Sequence, residues 1–177
     1  IGRVQGIQNI TDALEKLTPE NRPKIVFIGS GAYEEQLQTS LDNLNDNNIQ
    51  YIGPIHQSMK SQGLAACDIA IVTLAEGMFG LGVPSKAYFS MAADKPILAI
   101  MDEDSEVARM VKKHGIGWVV PAGNSEALAS RLLEISDQYK EMPKVSSREI
   151  LIQYYSEPVA MKKIIEVIKQ MQLLKET

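Results

Sequence analysis

One stretch decides the fold of this 177-residue chain: Lys24-Ile25-Val26-Phe27-Ile28-Gly29-Ser30-Gly31. Its apolar run is short, rich in β-branched and aromatic residues, and closed by glycine, which predicts a buried strand. Leu37, Leu41 and Leu44 follow at spacings of four and three, which places them on one face of a helix. A buried strand that leads through a glycine turn into an amphipathic helix begins a strand–helix–strand crossover unit.

The same alternation continues along the rest of the chain. The stretch Asp68-Ile69-Ala70-Ile71-Val72-Thr73 is apolar almost throughout, which fits a parallel strand buried on both faces. We therefore predict an α/β fold with a doubly wound parallel sheet, as one domain over residues 1–177. Further strands are expected at 49–52, 96–101 and 117–120, and helices at 57–67, from Pro84, at 105–113, at 125–136 and in the tail from Ser146, which should pack through Ile164, Ile165 and Ile168.

Composition excludes several classes of protein. Hydrophobic residues make up 45% and charged residues 23%, as in ordinary soluble domains, and the net charge of −4 gives no basic footprint for nucleic acid. One cysteine and two histidines are too few for a zinc cage, and no apolar run approaches the ~20 residues of a membrane span. The chain begins at Ile1 with no signal-peptide pattern. We expect a cytoplasmic domain cut from a longer protein, whose first strand precedes residues 1–6.

Three loops have the composition of a ligand site, since ligands of open α/β sheets bind beyond the carboxyl ends of the strands. Gly29-Ser30-Gly31 brings bare backbone to a helix N-terminus, which favours anions. Glu34 stands where the dinucleotide fingerprint has its third glycine, and no Walker lysine follows. The loop fits a ligand-binding turn and a simple tight turn equally well.

The second and third loops flank a glycine-rich segment, residues 76–82. In Val83-Pro84-Ser85-Lys86, proline suits the first helical position, and Lys86 opposes the helix dipole unless an anion is bound there. Backbone N–H groups, the Ser85 hydroxyl and the Lys86 charge suit a phosphate or diphosphate; the alternative is a solvated lysine. Glu76 is able to accept hydrogen bonds from sugar or ribose hydroxyls, and the alternative is an exposed glutamate with no role. Asp102-Glu103-Asp104 resembles a metal-binding triplet, but a solvated helix start capped by Ser105 is the favoured interpretation, so no metal site is predicted.

Five segments, taken in order, resemble the carboxy-terminal, donor-binding domain of GT-B glycosyltransferases of family 4, over nearly the whole chain. The resemblance implies a Rossmann-like half of a two-domain fold and a substrate-binding set of Arg3, Gly29, Gly31, Glu76, Pro84, Ser85 and Lys86, with no catalytic residue of its own. The five segments are Gly2-Arg3-Val4-Gln5-Gly6, Ile25 to Gly31, Tyr51-Ile52-Gly53, Val83 to Lys86 with Met91 to Ile97, and Gly115 to Pro121.

Two positions depart from the family pattern. The family commonly carries two glutamates eight positions apart beside the donor helix; Glu76 resembles the first, and the second falls at Phe89, which cannot accept a hydrogen bond from ribose. Asp94 stands where glycine is usual. Both positions bear on the details of donor contact.

The resemblance implies transfer of a sugar from a nucleotide-diphosphate sugar, expected to be a UDP-sugar, to a glycan or lipid-linked acceptor, without cofactor. The acceptor would bind an N-terminal domain outside this chain, so we expect the chain alone to be inactive. Partners would be the nucleotide sugar, that domain and the acceptor, with no nucleic acid, and with membrane contact at the inner face only through the whole enzyme. Two alternatives stay open: a nucleotide-sugar epimerase or hydrolase of the same fold, and a flavodoxin-like interaction module, although Thr73 and Leu74 follow the third strand where a receiver domain needs aspartate.

Overall fold

A computed structural model describes residues 1–141 and 145–173. Every strand pair in the described residues is parallel, in two sheets of order β1-β2 and β3-β4-β5. The strands are β1 (Ile25–Phe27), β2 (Ile49–Tyr51), β3 (Ala70–Thr73), β4 (Ile97–Ile100) and β5 (Gly117–Val120). The helices are α1 (Ile7–Glu15), α2 (Glu34–Leu44), α3 (Lys60–Ala66), α4 (Lys86–Ala92), α5 (Glu106–His114), α6 (Ser125–Gln138), α7 (Ser147–Ile150) and α8 (Glu157–Leu173). Short 3₁₀ turns at Arg3–Gln5, Pro19–Asn21 and Gln57–Met59, and a π-helical turn at Leu151–Tyr155, complete the order.

Strand β4 shows why the sheet is doubly wound. Its four residues are all buried, because helices cover both of its faces. Leu98 and Ile100 belong to a core with α1 and α6, whereas Ile97 and Ala99 belong to a second core with α4 and α5. Successive side chains of a strand point to opposite faces, so one apolar run serves two layers of helix. The predicted α/β class with a doubly wound parallel sheet is confirmed.

A break between β1 and β3 divides the strands into two sheets. The residues before α1 bridge this break at the carboxyl edge: the Ile1 nitrogen donates to the Ser30 carbonyl at 3.1 Å, and the Ala75 N–H donates to the Val4 carbonyl at 2.8 Å. One hydrophobic core still runs across the break, because it contains residues of β1 and β2 as well as of β4 and β5. The two sheets therefore form one continuous layer with a gap in its middle.

A buried ion pair lies next to the amino ends of β1 and β2. The side chains of Arg22 and Asp46 are 9% and 8% exposed and lie 3.3 Å apart. The Arg22 guanidinium also donates to the carbonyls of Leu14 and Leu17 at 2.9 and 3.1 Å, and to that of Leu44 at 3.4 Å. Arg22 thus binds carbonyls at the carboxyl ends of α1 and α2, and its pair with Asp46 joins both helices to the residues before β2.

Two predictions about helices are wrong in detail. The helix expected to open at Pro84 begins at Lys86, because Pro84 and Ser85 form a preceding turn in which the Pro84 carbonyl accepts from the Ala87 N–H at 3.1 Å. The tail helix α8 does not bury the isoleucines at 164, 165 and 168, each of which is about half exposed. No helix among the described residues is long and apolar enough to cross a membrane.

Candidate functional site

The Gly29 backbone is held open at the carboxyl end of β1. Gly29 has a φ of +124°, its N–H donates to the Gly53 carbonyl at 2.8 Å, and its carbonyl accepts from the Tyr51 hydroxyl at 2.8 Å. A Cβ added to Gly29 would meet nothing within 4 Å. Desolvation, and next the hydrogen bond and charge of Glu34, raise the pKa of Tyr51 to about 12, so its hydroxyl stays protonated and remains a donor. The space beside the Gly29 Cα is therefore open to a ligand, whereas its N–H and carbonyl are already hydrogen-bonded within the fold.

Gly31 has a different reason to be glycine. A Cβ at this position would lie 2.6 Å from the Ile1 carbonyl carbon, closer than real Cβ contacts come. The Tyr33 N–H donates to that same Ile1 carbonyl at 3.3 Å, which fixes the chain's first residues over the loop. The sequence analysis predicts that both glycines bind a ligand. The structure places the chain's own backbone against Gly31 and leaves the space beside the Gly29 Cα empty.

Lys86 lies near Ile1, the residue that covers the loop Gly29-Ser30-Gly31. Burial, and next the charge of Lys86, lower the pKa of the Ile1 amino group, whose nitrogen is hydrogen-bonded to Ser30. Although Lys86 is exposed as a residue, partial burial of its side chain lowers the pKa of its ammonium group. In the described part of the chain, no carboxylate lies within ion-pairing distance of Lys86 or of the exposed Arg3. Lys86 is therefore an unpaired cation near the residue that lies over the glycine loop, and Arg3 is a second unpaired cation two positions after that residue.

The turn before α4 adds hydrogen-bond donors. Neither the N–H of Ser85 nor that of Lys86 donates to a backbone carbonyl within residues 1–141 and 145–173, and the Ser85 hydroxyl does not cap the helix. These groups, with the Lys86 ammonium, are free to bind an anion of several oxygens. Pro84 contributes its fixed φ to the turn, and its carbonyl accepts from the Ala87 N–H.

Glu76 lies farther along the carboxyl edge, beyond β3. Its Oε2 occupies the space where a Cβ on Gly123 would stand, 2.8 Å away, so the carboxylate rests against the turn after β5. Together they line a pocket of about 220 Å³ that also takes in Ala75 and the start of α1. The structure thus places Glu76 on a pocket separate from the turn that carries Lys86.

One of the two departures from the family pattern, Asp94, has a structural explanation. Asp94 adopts a left-handed φ of +58°, and its carboxylate accepts from the Arg148 N–H at 3.0 Å and the Ser146 hydroxyl at 2.8 Å, so it ties the tail to the end of α4. Phe89 is 64% exposed and lies one turn after Lys86, on the same side of α4.

The acidic triplet after β4 is used within the fold. Asp104 pairs with Arg109 at 3.2 Å, Glu103 pairs with Lys112, and Asp102 accepts from the Asp104 N–H at 2.8 Å. Ser105 caps α5 through the Ala108 N–H, as predicted. These carboxylates hold the helix start and its basic residues.

Comparison with known proteins gives the same family over most of the chain. Residues 1–138 match the model of the family Glycosyl transferases group 1. The chain belongs to this family. The predicted resemblance to a GT-B glycosyltransferase domain is confirmed.

Two curated relatives carry glycosyltransferase names. The chain is 42% identical over 169 residues to "Probable glycosyltransferase WbjE" of Pseudomonas aeruginosa, covering 96% of this chain and 42% of that protein. It is 25% identical over 151 residues to "Amylovoran biosynthesis glycosyltransferase AmsK" of Erwinia amylovora, covering 82% of this chain and 36% of that protein. The chain therefore spans less than half the length of either relative.

Solved structures share the fold. Anabaena HepE in complex with UDP and glucose superposes with a TM-score of 0.70 at 20% identity, over 96% of this chain and 46% of that one. The pneumococcal O-GlcNAc transferase GtfA in complex with UDP and GlcNAc superposes with a TM-score of 0.66 at 15% identity, over 93% of this chain and 33% of that one. At these identities the likeness establishes the Rossmann-like half of the fold.

Sequence reasoning missed one polar residue of this region. Asn9, in the first turn of α1, is buried and lines the pocket that contains Glu76. The signal available in the sequence was an asparagine beside Ile10 on the apolar face of an otherwise amphipathic helix. Such residues are mostly exposed, and a buried one calls for a polar partner.

Proposed function

We propose that this chain is the donor-binding part of a glycosyltransferase that takes a sugar from a nucleotide-diphosphate sugar, a UDP-sugar, and transfers it to a glycan or lipid-linked acceptor. The observation that carries the proposal is Lys86, which has no ion-pair partner among the described residues, stands in a turn with free backbone N–H groups, and lies near Ile1 over the glycine loop. The names of the curated relatives support sugar transfer, and the UDP bound to Anabaena HepE supports the choice of nucleotide.

The chemistry follows from where charge develops. When the bond between the sugar and the diphosphate breaks, negative charge accumulates on the departing phosphate oxygens. Lys86, Arg3 and the free N–H groups of the turn before α4 would stabilise that charge, which is the kind of preorganised electrostatic assistance that lowers reaction barriers most. Glu76 would accept hydrogen bonds from hydroxyls of the donor.

The rest of the enzyme supplies the other half of the reaction. Because the chain spans 42% and 36% of its curated relatives, the acceptor site would lie in the additional part of such proteins. The chain by itself would bind nucleotide weakly and would not catalyse sugar transfer. The whole enzyme would act in the cytoplasm, at the inner face of the membrane where a lipid-linked acceptor is presented. It would use no cofactor and no nucleic-acid partner.

A thermal-shift panel tests the proposal. UDP, GDP, ADP and their sugars are titrated against the chain and against Lys86→Ala. A charged hydrogen bond is worth about 1.5–3 kcal/mol, so the variant should lose roughly tenfold to a hundredfold in affinity for UDP. Lys60→Ala is the matched control, because Lys60 is exposed and begins α3, which has the same length of seven residues as α4.

The outcomes separate the alternatives. Stabilisation by UDP that Lys86→Ala abolishes and Lys60→Ala keeps supports the proposal. No stabilisation by any nucleotide would favour an interaction module instead. Products formed by the full-length protein from nucleotide sugar without acceptor would point to an epimerase or hydrolase.

A further inference from the structure

A cavity of about 660 Å³, here named the α5 cavity, lies between the glycine-rich segment and α5. Residues 79–83 line one side of it and α5 lines another, with Asp104, Ser105 and Tyr155 beside them. No residue of the expected donor-binding set lines it. Its volume falls within the ~300–1,000 Å³ that is usual for small-molecule sites, so it is large enough for a ligand of its own.

The loop side of the α5 cavity is apolar and open to solvent. Phe79, Leu81 and Val83 are 51%, 75% and 48% exposed, although each is a large apolar side chain. Single apolar side chains are normal on a protein surface, but here three of them line one cavity. An exposed apolar group with a polar rim marks a binding site for an apolar partner.

The helix side of the α5 cavity supplies an apolar floor and a charged rim. Glu106, Arg109, Met110 and Lys113 all line the cavity, and their spacing of three, one and three positions places them on one face of α5. Met110 is 3% exposed and belongs to the core beneath the helix. The other three residues are exposed, so charged groups border an apolar interior.

Lys113 carries the unpaired charge of this rim. Asp104 pairs with Arg109 at 3.2 Å. Burial, and next the charge of Glu106, raise the pKa of the Tyr88 hydroxyl, which also hydrogen-bonds that carboxylate. Among the described residues, no carboxylate lies within ion-pairing distance of Lys113. An apolar surface beside one unpaired ammonium group complements a ligand that has an apolar chain and an anionic head.

We propose that the α5 cavity binds a lipid phosphate, with its apolar chain against Phe79, Leu81 and Val83 and its phosphate at Lys113. The choice of a lipid rests on the proposed function, because that function includes a lipid-linked acceptor. The cavity holds the lipid end of that acceptor, while the hydroxyl that receives the sugar lies in the additional part of the enzyme.

Isothermal titration calorimetry with three probes tests the proposal. The probes are farnesyl phosphate below its micelle concentration, farnesol, and inorganic phosphate. Farnesyl phosphate should bind about tenfold more tightly than farnesol, because a hydrogen bond between charged groups strengthens binding by about this factor. Inorganic phosphate lacks the apolar chain and should not bind measurably at this cavity.

Three variants locate the site. Lys113→Ala should weaken the binding of farnesyl phosphate about tenfold and leave farnesol unchanged, because only the phosphate meets the ammonium group. Leu81→Ser should weaken both lipids about tenfold, because it removes apolar contact. Lys112→Ala is the matched control, since Lys112 is the neighbouring exposed lysine but pairs with Glu103 and does not line the cavity. All three variants should bind UDP as the wild type does.

The outcomes decide between this inference and the proposed function. Binding of farnesyl phosphate that Lys113→Ala and Leu81→Ser weaken and Lys112→Ala keeps supports the inference. A chain that binds UDP but not farnesyl phosphate overturns the inference and leaves the proposed function standing. Equal binding of farnesol and farnesyl phosphate, or equal effects of Lys113→Ala and Lys112→Ala, overturns the role of Lys113 and with it the inference. A chain that binds neither UDP nor farnesyl phosphate overturns both.

Discussion

Substituting Gly29 and Gly31 separately distinguishes the cost of backbone strain from the cost of a steric clash. Gly29→Ala and Gly31→Ala both place a side chain at a positive φ that residues other than glycine rarely adopt, which costs of order 1–3 kcal/mol per residue. Only Gly31→Ala also drives a methyl group to 2.6 Å from the Ile1 carbonyl carbon, whereas the space beside Gly29 is empty. Overpacking of this kind costs about 1–3 kcal/mol. Gly31→Ala should therefore be the more destabilised variant by about 1–3 kcal/mol.

Urea unfolding followed by circular dichroism measures this difference. A loss of 1 kcal/mol corresponds to about 2–4 °C in Tm for a chain of this size, so thermal melts give a second reading. Gly31→Ala should also weaken UDP binding more than the loss of stability explains, because the collision displaces the segment that carries Arg3. Equal destabilisation of the two variants would show that residues 1–2 do not lie over the loop, and the arrangement of cations described above would be wrong.

Two further predictions concern the scaffold around the site. Arg22→Met leaves Asp46 buried without its partner, so it should lower the free energy of unfolding by about 3–5 kcal/mol in urea denaturation. Arg131→Met, at an exposed pair with Glu134, should change the free energy of unfolding by under ~1 kcal/mol, and equal effects of the two variants would contradict the role of the buried pair. Hydrogen bonds from the Arg148 N–H, and next from Ser146, hold the pKa of Asp94 below its usual 3.8. The difference in stability between the wild type and Asp94→Asn should therefore be full at neutral pH and disappear as the pH falls below 3.8, and a difference that does not change with pH would refute this.

The order of strands and helices was readable because each strand is a short apolar run, and every strand except β3 has a glycine or proline close to one end. β5 was predicted at 117–120 and lies at Gly117–Val120, and β4 was predicted one residue too long at each end. The α5 boundaries follow from local chemistry, with Ser105 as N-cap and a left-handed Gly115 as C-cap. Such signals act within a few residues and survive in any tertiary context.

The features that local signals missed depend on distant parts of the chain. Nothing near Gly31 in sequence indicates that Ile1 occupies the space beside it. Arg22 reaches Asp46 across 24 positions, and Asn9 faces a pocket made by loops after β3 and β5. The prediction of burial from the apolar stripe of α8 was wrong, because periodicity identifies an apolar face without identifying what covers it.

The gap between β1 and β3 has a consequence for handling the protein. The backbone N–H and C=O groups along the inner edges of β1 and β3 have no neighbouring strand among the described residues, and Val26 on β1 is half exposed beside them. Unpaired strand edges of this kind are templates for an extended peptide. At high concentration the 177-residue chain should self-associate through intermolecular strand pairing, and a soluble peptide of alternating valine and threonine should compete with that association.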